Sequence, residues 1–208
     1  MSAPRARVAA LVLAAGRSAR FGNSNKLLER LDGKALVARA VDAPLAAGAD
    51  PVIVVTGFDA EGVRAALASR PVVFAHNPRH ALGLGGSIAV GARAAPADVD
   101  GIFVGLGDMP FQDPAVHRAL VAALRSTPGA TIALPARGGR RGHPVLFGAE
   151  HRAELATLSG DEGARRVVAA HADRVVEWPV EGEGTFTDVD SREDWRRAAS
   201  GPPGDGEP

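Results

Sequence analysis

The stretch that decides the fold is Val8-Ala9-Ala10-Leu11-Val12-Leu13-Ala14-Ala15-Gly16-Arg17-Ser18-Ala19-Arg20-Phe21-Gly22-Asn23-Ser24-Asn25-Lys26. Its first part, Val8 to Ala14, is a short apolar run that stops at small residues and a glycine, the pattern of a strand buried on both faces. The next part is a loop in which Gly16, Ser18 and Gly22 leave consecutive backbone N–H groups open to an anion, because no bulky side chain blocks the approach. Arg17, Arg20 and Lys26 place three cations around that cradle. A nucleoside triphosphate carries roughly four negative charges, and a loop of this kind supplies amides for geometry and cations for charge. The plainer reading is an ordinary glycine-rich connection with solvated arginines. Two sharper ones fail: no Gly-Lys-Ser/Thr closes the loop as a Walker A motif requires, and the second strand ends Val55-Thr56-Gly57 without the acidic residue that holds a dinucleotide's ribose.

Outward from this loop, short runs rich in Val, Ile and Leu alternate with Ala-rich amphipathic segments, which is the signature of an α/β fold with a mostly parallel sheet. Strands are expected at Val8 to Ala14, Pro51 to Thr56, Pro71 to Ala75, Gly101 to Leu106, Thr131 to Leu134 and Arg174 to Pro179. Helices are expected at Lys34 to Ala47, Asp59 to Ser69, Gly86 to Ala94 and Asp113 to Ser126, with Asp59 and Asp113 as N-caps and Gly48 closing its helix. Beyond Gly138 the pattern changes to a basic turn-rich segment, a strand-like run His143 to Phe147, and helical patches at Glu150 to Leu158, Gly163 to Ala170 and Ser191 to Ala199. The expected organisation is one domain over residues 1–200, with a nucleotide-binding half (1–110) and an acceptor-binding half (111–200), and a disordered tail at 201–208.

Composition bounds the function. The 208 residues hold 24 Lys and Arg against 24 Asp and Glu, so bulk charge does not recruit nucleic acid or an anionic membrane. There is no cysteine, which removes disulfides, thiolate metal sites and a thiol nucleophile, and fits a reducing cytoplasm. Hydrophobic residues make up 46% but aromatics only 4%, so the core is built from Ala, Val and Leu. No apolar run approaches the ~20 residues of a membrane span, and the N-terminal stretch lacks the cleavage region of a signal peptide.

Asp108, in Gly107-Asp108-Met109-Pro110, leaves the carboxyl end of an expected strand. That is the edge where open α/β sheets bind ligands, at the point where strand order reverses. With the first three strands ordered 3-2-1 and the fourth on the other side of strand 1, Asp108 faces the Gly16 loop, and carboxylate plus phosphate oxygens suit Mg²⁺. A capping aspartate in a turn is the alternative. Thr187-Asp188-Val189-Asp190-Ser191 offers a second carboxylate source, in which Asp190 could simply cap the last helix or lie beside the cap. Ser87 opens a helix after a long turn-rich loop and could hydrogen-bond a base or ribose. His76 and His80 on that loop lack the acidic support of a metal site. Arg140 to Phe147 reads as a basic hairpin tip, in which His143 could bond or stack on a flat heterocycle and Arg140 or Arg141 could meet a phosphate. Asp161 reads as a helix N-cap.

Taken in order, Leu13-Ala14-Ala15-Gly16-Arg17-Ser18-x-Arg20-Phe21-Gly22-x-x-Asn25-Lys26, Gly107-Asp108-Met109-Pro110, the Asp188/Asp190 segment, Gly142-His143-Pro144-Val145 and Gly160-Asp161-x-Gly163-Ala164-Arg165 resemble the molybdenum cofactor cytidylyltransferase family. The resemblance runs from about Val8 to Trp195. It implies a three-layer Rossmann-like nucleotidyltransferase fold, a cytoplasmic monomer, and transfer of CMP from CTP to the terminal phosphate of molybdopterin-bound molybdenum with release of pyrophosphate. The implied cofactor is Mg²⁺, with Mn²⁺ as a substitute, and the implied recipient is a molybdenum hydroxylase of the xanthine dehydrogenase type. Lys26, Arg20 and Asp108 inherit catalytic roles. Leu13, Ala14, Ala15, Gly16, Arg17, Ser18, Gly22, Thr56, Ser87 and His143 inherit nucleotide or acceptor binding, and Asp108 with Asp190 the metal. The family's serines before Ser87 are here Gly85 and Gly86, so only Ser87 carries over. Guanylyl-transferring relatives have Leu-Ala-Gly-Gly where this chain has Leu13-Ala14-Ala15-Gly16, and the Ala15 methyl would favour a pyrimidine. Rival readings are a nucleotidyltransferase of the same fold with GTP or another phosphorylated acceptor, and a non-catalytic nucleotide-binding partner of a molybdenum hydroxylase.

Overall fold

The computed structural model describes residues 6–18, 21 and 25–199. Arg20, Gly22 and the tail at 201–208 lie outside the described residues. The strand β1 is Val8–Ala14, as expected, and every residue of it is buried. Its alternation explains the three layers: Ala9, Leu11 and Leu13 join a core on one face, while Val8, Ala10, Val12 and Ala14 join a core on the other.

The chain continues through β2 (Arg30–Leu31), β3 (Lys34–Ala35), α1 (Leu36–Ala47), β4 (Val52–Thr56), α2 (Ala60–Ala66), β5 (Val73–His76), α3 (Leu84–Ala94), β6 (Gly101–Leu106) and α4 (Pro114–Ser126). It then forms β7 (Ile132–Arg137), β8 (Arg140–Arg141), β9 (Val145–Gly148), α5 (Arg152–Leu155), α6 (Arg165–Ala170), β10 (Val175–Pro179) and α7 (Arg192–Ala199). The main sheet has the order β10-β7-β9-β6-β1-β4-β5, with β8 paired to β7. Strands β5, β4, β1 and β6 are parallel and realise the 3-2-1-4 order read from the sequence. Helices α1, α2 and α4 supply one core through Val37, Val41, Val63 and Leu120. Helices α3, α5 and α6 supply the other through Ile88, Ala92, Leu155 and Val167.

The expected caps are present. Asp59 accepts from Gly62 N, Asp113 accepts from Ala115 N, and Gly48 closes α1 in the left-handed region at φ 84°. Two features differ from the sequence reading. The expected helix from Lys34 begins instead as the second strand of a small hairpin, β2 with β3, turned at Asp32-Gly33 with φ 49° and 79°. Asp-Gly between paired residues is a strong hairpin signal. The second is β9, which runs antiparallel to both β6 and β7 and separates them. Among the described residues no helix is long and apolar enough to cross a membrane.

Candidate active site

The carboxyl ends of β1 and β6 open onto a crevice of about 600 Å³. That volume lies within the ~300–1,000 Å³ of small-molecule sites. Leu13, Ala15, Gly16, Arg17 and Ser18 form one wall. Leu106, Asp108, His80, Ser87 and Asp161 also line the crevice.

At its centre is Lys26. Its ammonium lies 2.7 Å from Asp108 Oδ2 and 2.5 Å from Asp190 Oδ1. Burial pushes this ammonium down, and the Asp108 and Asp190 carboxylates more than offset it, so the group is held above its ordinary value and stays charged. The local sequence explains its placement. Ser18 adopts a positive φ of 53°, and its hydroxyl accepts from Lys26 N at 3.2 Å. Asn25 caps the 3-10 turn Lys26–Leu28 by accepting from Leu27 N. Ser18 thus positions Lys26 from behind. Asp190 arrives from the far end of the chain because Val189 N donates to the Asp108 carbonyl at 3.0 Å, and Val189 is fully buried with Phe21, Leu31 and Leu36.

Asp108 Oδ1 is buried and has no hydrogen-bond partner, while Oδ2 shares Lys26 with Asp190. A buried carboxylate oxygen without a partner costs free energy unless a ligand satisfies it. Two convergent carboxylates, one with an open oxygen, fit a hard divalent cation.

The first turn of α3 is held by close backbone approach. Gly85 N donates to the Gly160 carbonyl at 2.8 Å, and a Cβ at Gly85 would lie 2.7 Å from the Ser159 carbonyl oxygen. This accounts for the glycine at that position. Ser87, itself buried, accepts from Asn77 Nδ2 at 3.0 Å and lines the crevice.

Other expected residues fall elsewhere. Ala14 is buried behind the wall, and Thr56 is fully buried with its hydroxyl 3.4 Å from His76 Nδ1. Neither Thr56 nor His143 lines the crevice. Burial pushes the His143 imidazole down against the Val104 carbonyl that holds it. Arg140 and Arg141 occupy the hairpin β7–β8, where Arg140 reaches Glu183 at 3.4 Å and Arg141 reaches Glu177 at 2.8 Å. Asp161 is not an N-cap. Helix α6 starts at Arg165 with Ala164 in the cap position and no side-chain cap, because Gly160 and Gly163 at φ 70° and 59° hold the preceding turn, and Asp161 faces the crevice instead. His80 was missed as a site residue, and nothing in its sequence context marks it: it enters because Gly57 and Ala15 leave room for its loop. A Cβ at Gly57 would lie 2.6 Å from His80 Cβ and 2.9 Å from Ala15 Cβ.

Residues 10–175 match the MobA-like NTP transferase domain. The chain belongs to the MobA-like NTP transferase family. It is 33% identical to nicotine blue oxidoreductase of Paenarthrobacter nicotinovorans over 91% of this chain and 95% of that protein. It is 37% identical over 57% of its length to the bifunctional protein GlmU of Halorhodospira halophila, of which it spans only 25%. Among solved structures, a nucleotidyl transferase from Methanothermobacter thermautotroptrophicus superposes with TM-score 0.80 at 27% identity, covering 93% of this chain and 96% of that one. The manganese complex of Rv0371c from Mycobacterium tuberculosis superposes with TM-score 0.77 at 28% identity, covering 93% and 98%. The protein is a MobA-like nucleotidyltransferase of Rossmann-like fold.

Proposed function

We propose that the protein transfers CMP from CTP to the terminal phosphate of the molybdenum cofactor, with residues 1–110 binding nucleotide and 111–200 the acceptor. The convergence of Lys26, Asp108 and Asp190 at the carboxyl end of the sheet carries this reading. An acceptor phosphate oxygen attacks the α-phosphorus, the bond to the bridging oxygen breaks, and pyrophosphate leaves. A phosphate monoester with a second pKa of about 6 is already ionised near neutral pH, so the acceptor needs no protein base. Alignment and charge stabilisation then supply the rate enhancement.

Asp108 and Asp190 would hold a divalent cation, Mg²⁺ or Mn²⁺, which when bound neutralises charge on the phosphates. Lys26 neutralises the same carboxylates in the nucleotide-free protein and presents its ammonium to the α-phosphate. The exposed Gly16 and Arg17 backbone borders the triphosphate, with Arg20 and Gly22 completing the loop, and Ser87 faces the nucleoside. Ala15, packed beside Gly57 and His80, narrows the base pocket toward a pyrimidine. That the manganese complex of Rv0371c has this fold supports a divalent metal here.

The test is Mg²⁺-dependent pyrophosphate release from CTP, with and without molybdenum cofactor, for wild type and Lys26→Ala. Release that needs no acceptor, or that survives both Mg²⁺ removal and loss of Lys26, overturns the reading. Equimolar CTP and GTP in competition test base choice, and preferential GMP transfer refutes the cytidylyl assignment. The near full-length relative named nicotine blue oxidoreductase favours a second reading, an oxidoreductase acting on nicotine blue or a compound like it, with the reductant supplied in the assay. Under that reading Lys26→Ala leaves turnover of such a substrate measurable and CTP yields no pyrophosphate.

A further inference from the structure

At the opposite end of the sheet from the crevice, three side chains from two segments meet. Gly101, which begins β6, pairs with Gly148 at the end of β9, and His151 comes three residues later. Asp108 leaves the other end of β6, so the seven residue steps from Gly101, at about 3.3 Å each, put roughly 20 Å between the two places. His151 Nδ1 approaches Glu154 Oε2 at 3.8 Å, and His171 Nε2, just after α6, reaches the same oxygen at 2.9 Å. The two imidazoles stand edge-on with centroids 4.6 Å apart. One ligand atom from each of the three residues lies within 4.8 Å of the others.

We propose that His151, Glu154 and His171 form a second divalent-metal site, of the zinc class, distinct from the carboxylates of the crevice. Bonds of about 2.0–2.2 Å in tetrahedral geometry place neighbouring ligand atoms ~3.3 Å apart; the two His–Glu pairs stand at 2.9 and 3.8 Å and the whole set within 4.8 Å, so side-chain rotations that close the widest pair by up to about 1.5 Å satisfy it. Two imidazoles and one carboxylate suit Zn²⁺, whereas Mg²⁺ prefers an all-oxygen set such as the crevice provides.

Three observations support the assignment. His151 is buried, and its Nε2 lies 2.8 Å from the buried Thr131 hydroxyl, the outer hydrogen bond that orients a metal-binding imidazole and leaves Nδ1 for the metal. The side chains of Glu154 and His171 are each about a third exposed, at 33% and 31%, which gives a cation a path in and leaves the fourth position to water. Arg174, the cation whose charge bears on His151, is engaged by Glu150 at 3.8 Å. The site would clip the turn of α5 to the end of α6, two elements that also meet through the apolar core of Leu155, Val167 and Val168 on that face.

Zinc uptake by chelator-stripped protein, followed by equilibrium dialysis with metal analysis, tests this. Wild type and Asp108→Asn are expected to bind alike, His171→Ala and Glu154→Gln to lose the site, and Thr131→Val to weaken it by about tenfold or more. Cobalt substitution adds a second readout, visible d–d absorption in wild type that His171→Ala lacks. His171 is partly exposed beyond the helix, so its replacement leaves the fold and pyrophosphate release intact. No zinc uptake by wild type, or equal uptake by His171→Ala, overturns the proposal. Uptake lost in Asp108→Asn but kept in His171→Ala overturns it too, and assigns the zinc to the crevice.

Discussion

At the carboxyl end of β6, Lys26 is largely buried yet held charged by Asp108 and Asp190; away from the crevice, His117 of α4 is also buried and has given up its charge. Burial pushes the His117 imidazole down to about 4, against a pull from the Asp113 carbonyl 3.2 Å from Nδ1, and the ring packs edge-on against Phe103 at 5.0 Å. The two sites differ in what surrounds the group. Lys26 has two carboxylates and an open crevice, whereas His117 has an aromatic ring and a carbonyl. Charge is retained only where it has a partner, and that partner set is also what a triphosphate and its cation require.

The largest expected effect breaks the first site. Under the proposed mechanism Lys26→Ala removes the cation that meets charge at the α-phosphate, and the expected loss in kcat is roughly 10²–10³-fold, about 3–4 kcal/mol of barrier. Steady-state pyrophosphate release reads it, with KM for CTP reported separately. A change confined to KM means that Lys26 binds the ground state and not the transition state.

Next comes the acid sensitivity of the second site. The folded His117 value of about 4 lies below the ordinary 6.5, so below pH 6.5 the unfolded chain takes up a proton that the folded chain does not. Stability falls from pH 6.5 toward pH 4, by about 3 kcal/mol at 1.36 kcal/mol per pH unit of difference. Lys26, raised above its ordinary value, contributes fully below 10.5 and loses its contribution only as pH climbs through the folded value, so it adds nothing to this acid limb. Urea unfolding at several pH values should show a flatter acid limb in His117→Gln than in wild type; identical limbs would remove His117 as the cause.

The contrast also shows what the sequence made legible. Strand β1, the 3-2-1-4 order and Asp108 were readable because each rests on local pattern: a short apolar run, alternation of strand and helix, an aspartate leaving a buried strand between Gly107 and Pro110. Choosing Asp190 over Asp188 came from the family resemblance, and the structure places Asp190 on Lys26 and leaves Asp188 exposed. The hairpin at Asp32-Gly33 was readable and overlooked, since the Ala-rich run after Lys34 dominated. The antiparallel insertion of β9 has no local signature, because a four-residue apolar strand has the same alternation in either direction. His80 and Asp161 reach the crevice through glycine-mediated close packing between distant loops, which spacing along the chain does not encode.

Gly85 and its neighbour sharpen this last point with a smaller effect. A side chain at Gly85 would meet the Ser159 backbone at 2.7 to 2.9 Å, whereas one at Gly86 would find only Asn77 Nδ2, at 3.7 Å. Gly85→Ser is expected to destabilise by about 1–3 kcal/mol through overpacking, and Gly86→Ser by under about 0.5 kcal/mol. Thermal midpoints distinguish them, at about 2–4 °C per kcal/mol for a chain of this size. Equal shifts would mean that the loop yields, and that the glycine at 85 has another cause.

The smallest expected effect concerns the hairpin that the sequence left between two readings. Arg137 and Arg141 are near half exposed and pair with Glu183 and Glu177 at 2.9 and 2.8 Å. Exposed pairs of this kind contribute about 0.2–1 kcal/mol because water screens them and ordering two long side chains costs entropy. Arg141→Ala should therefore change the urea midpoint little, and the informative quantity is KM. If the hairpin is only a solvated tip, KM for nucleotide and for acceptor both stay unchanged. If Arg141 leaves Glu177 to meet an acceptor phosphate, KM for the acceptor rises while KM for CTP does not, and Glu177→Gln, which frees the guanidinium without removing it, moves acceptor KM the other way. Opposite responses in the two variants would make Glu177 a competitor with the acceptor for the arginine, much as Asp108 and Asp190 hold Lys26 in the crevice before any nucleotide arrives under the proposed mechanism.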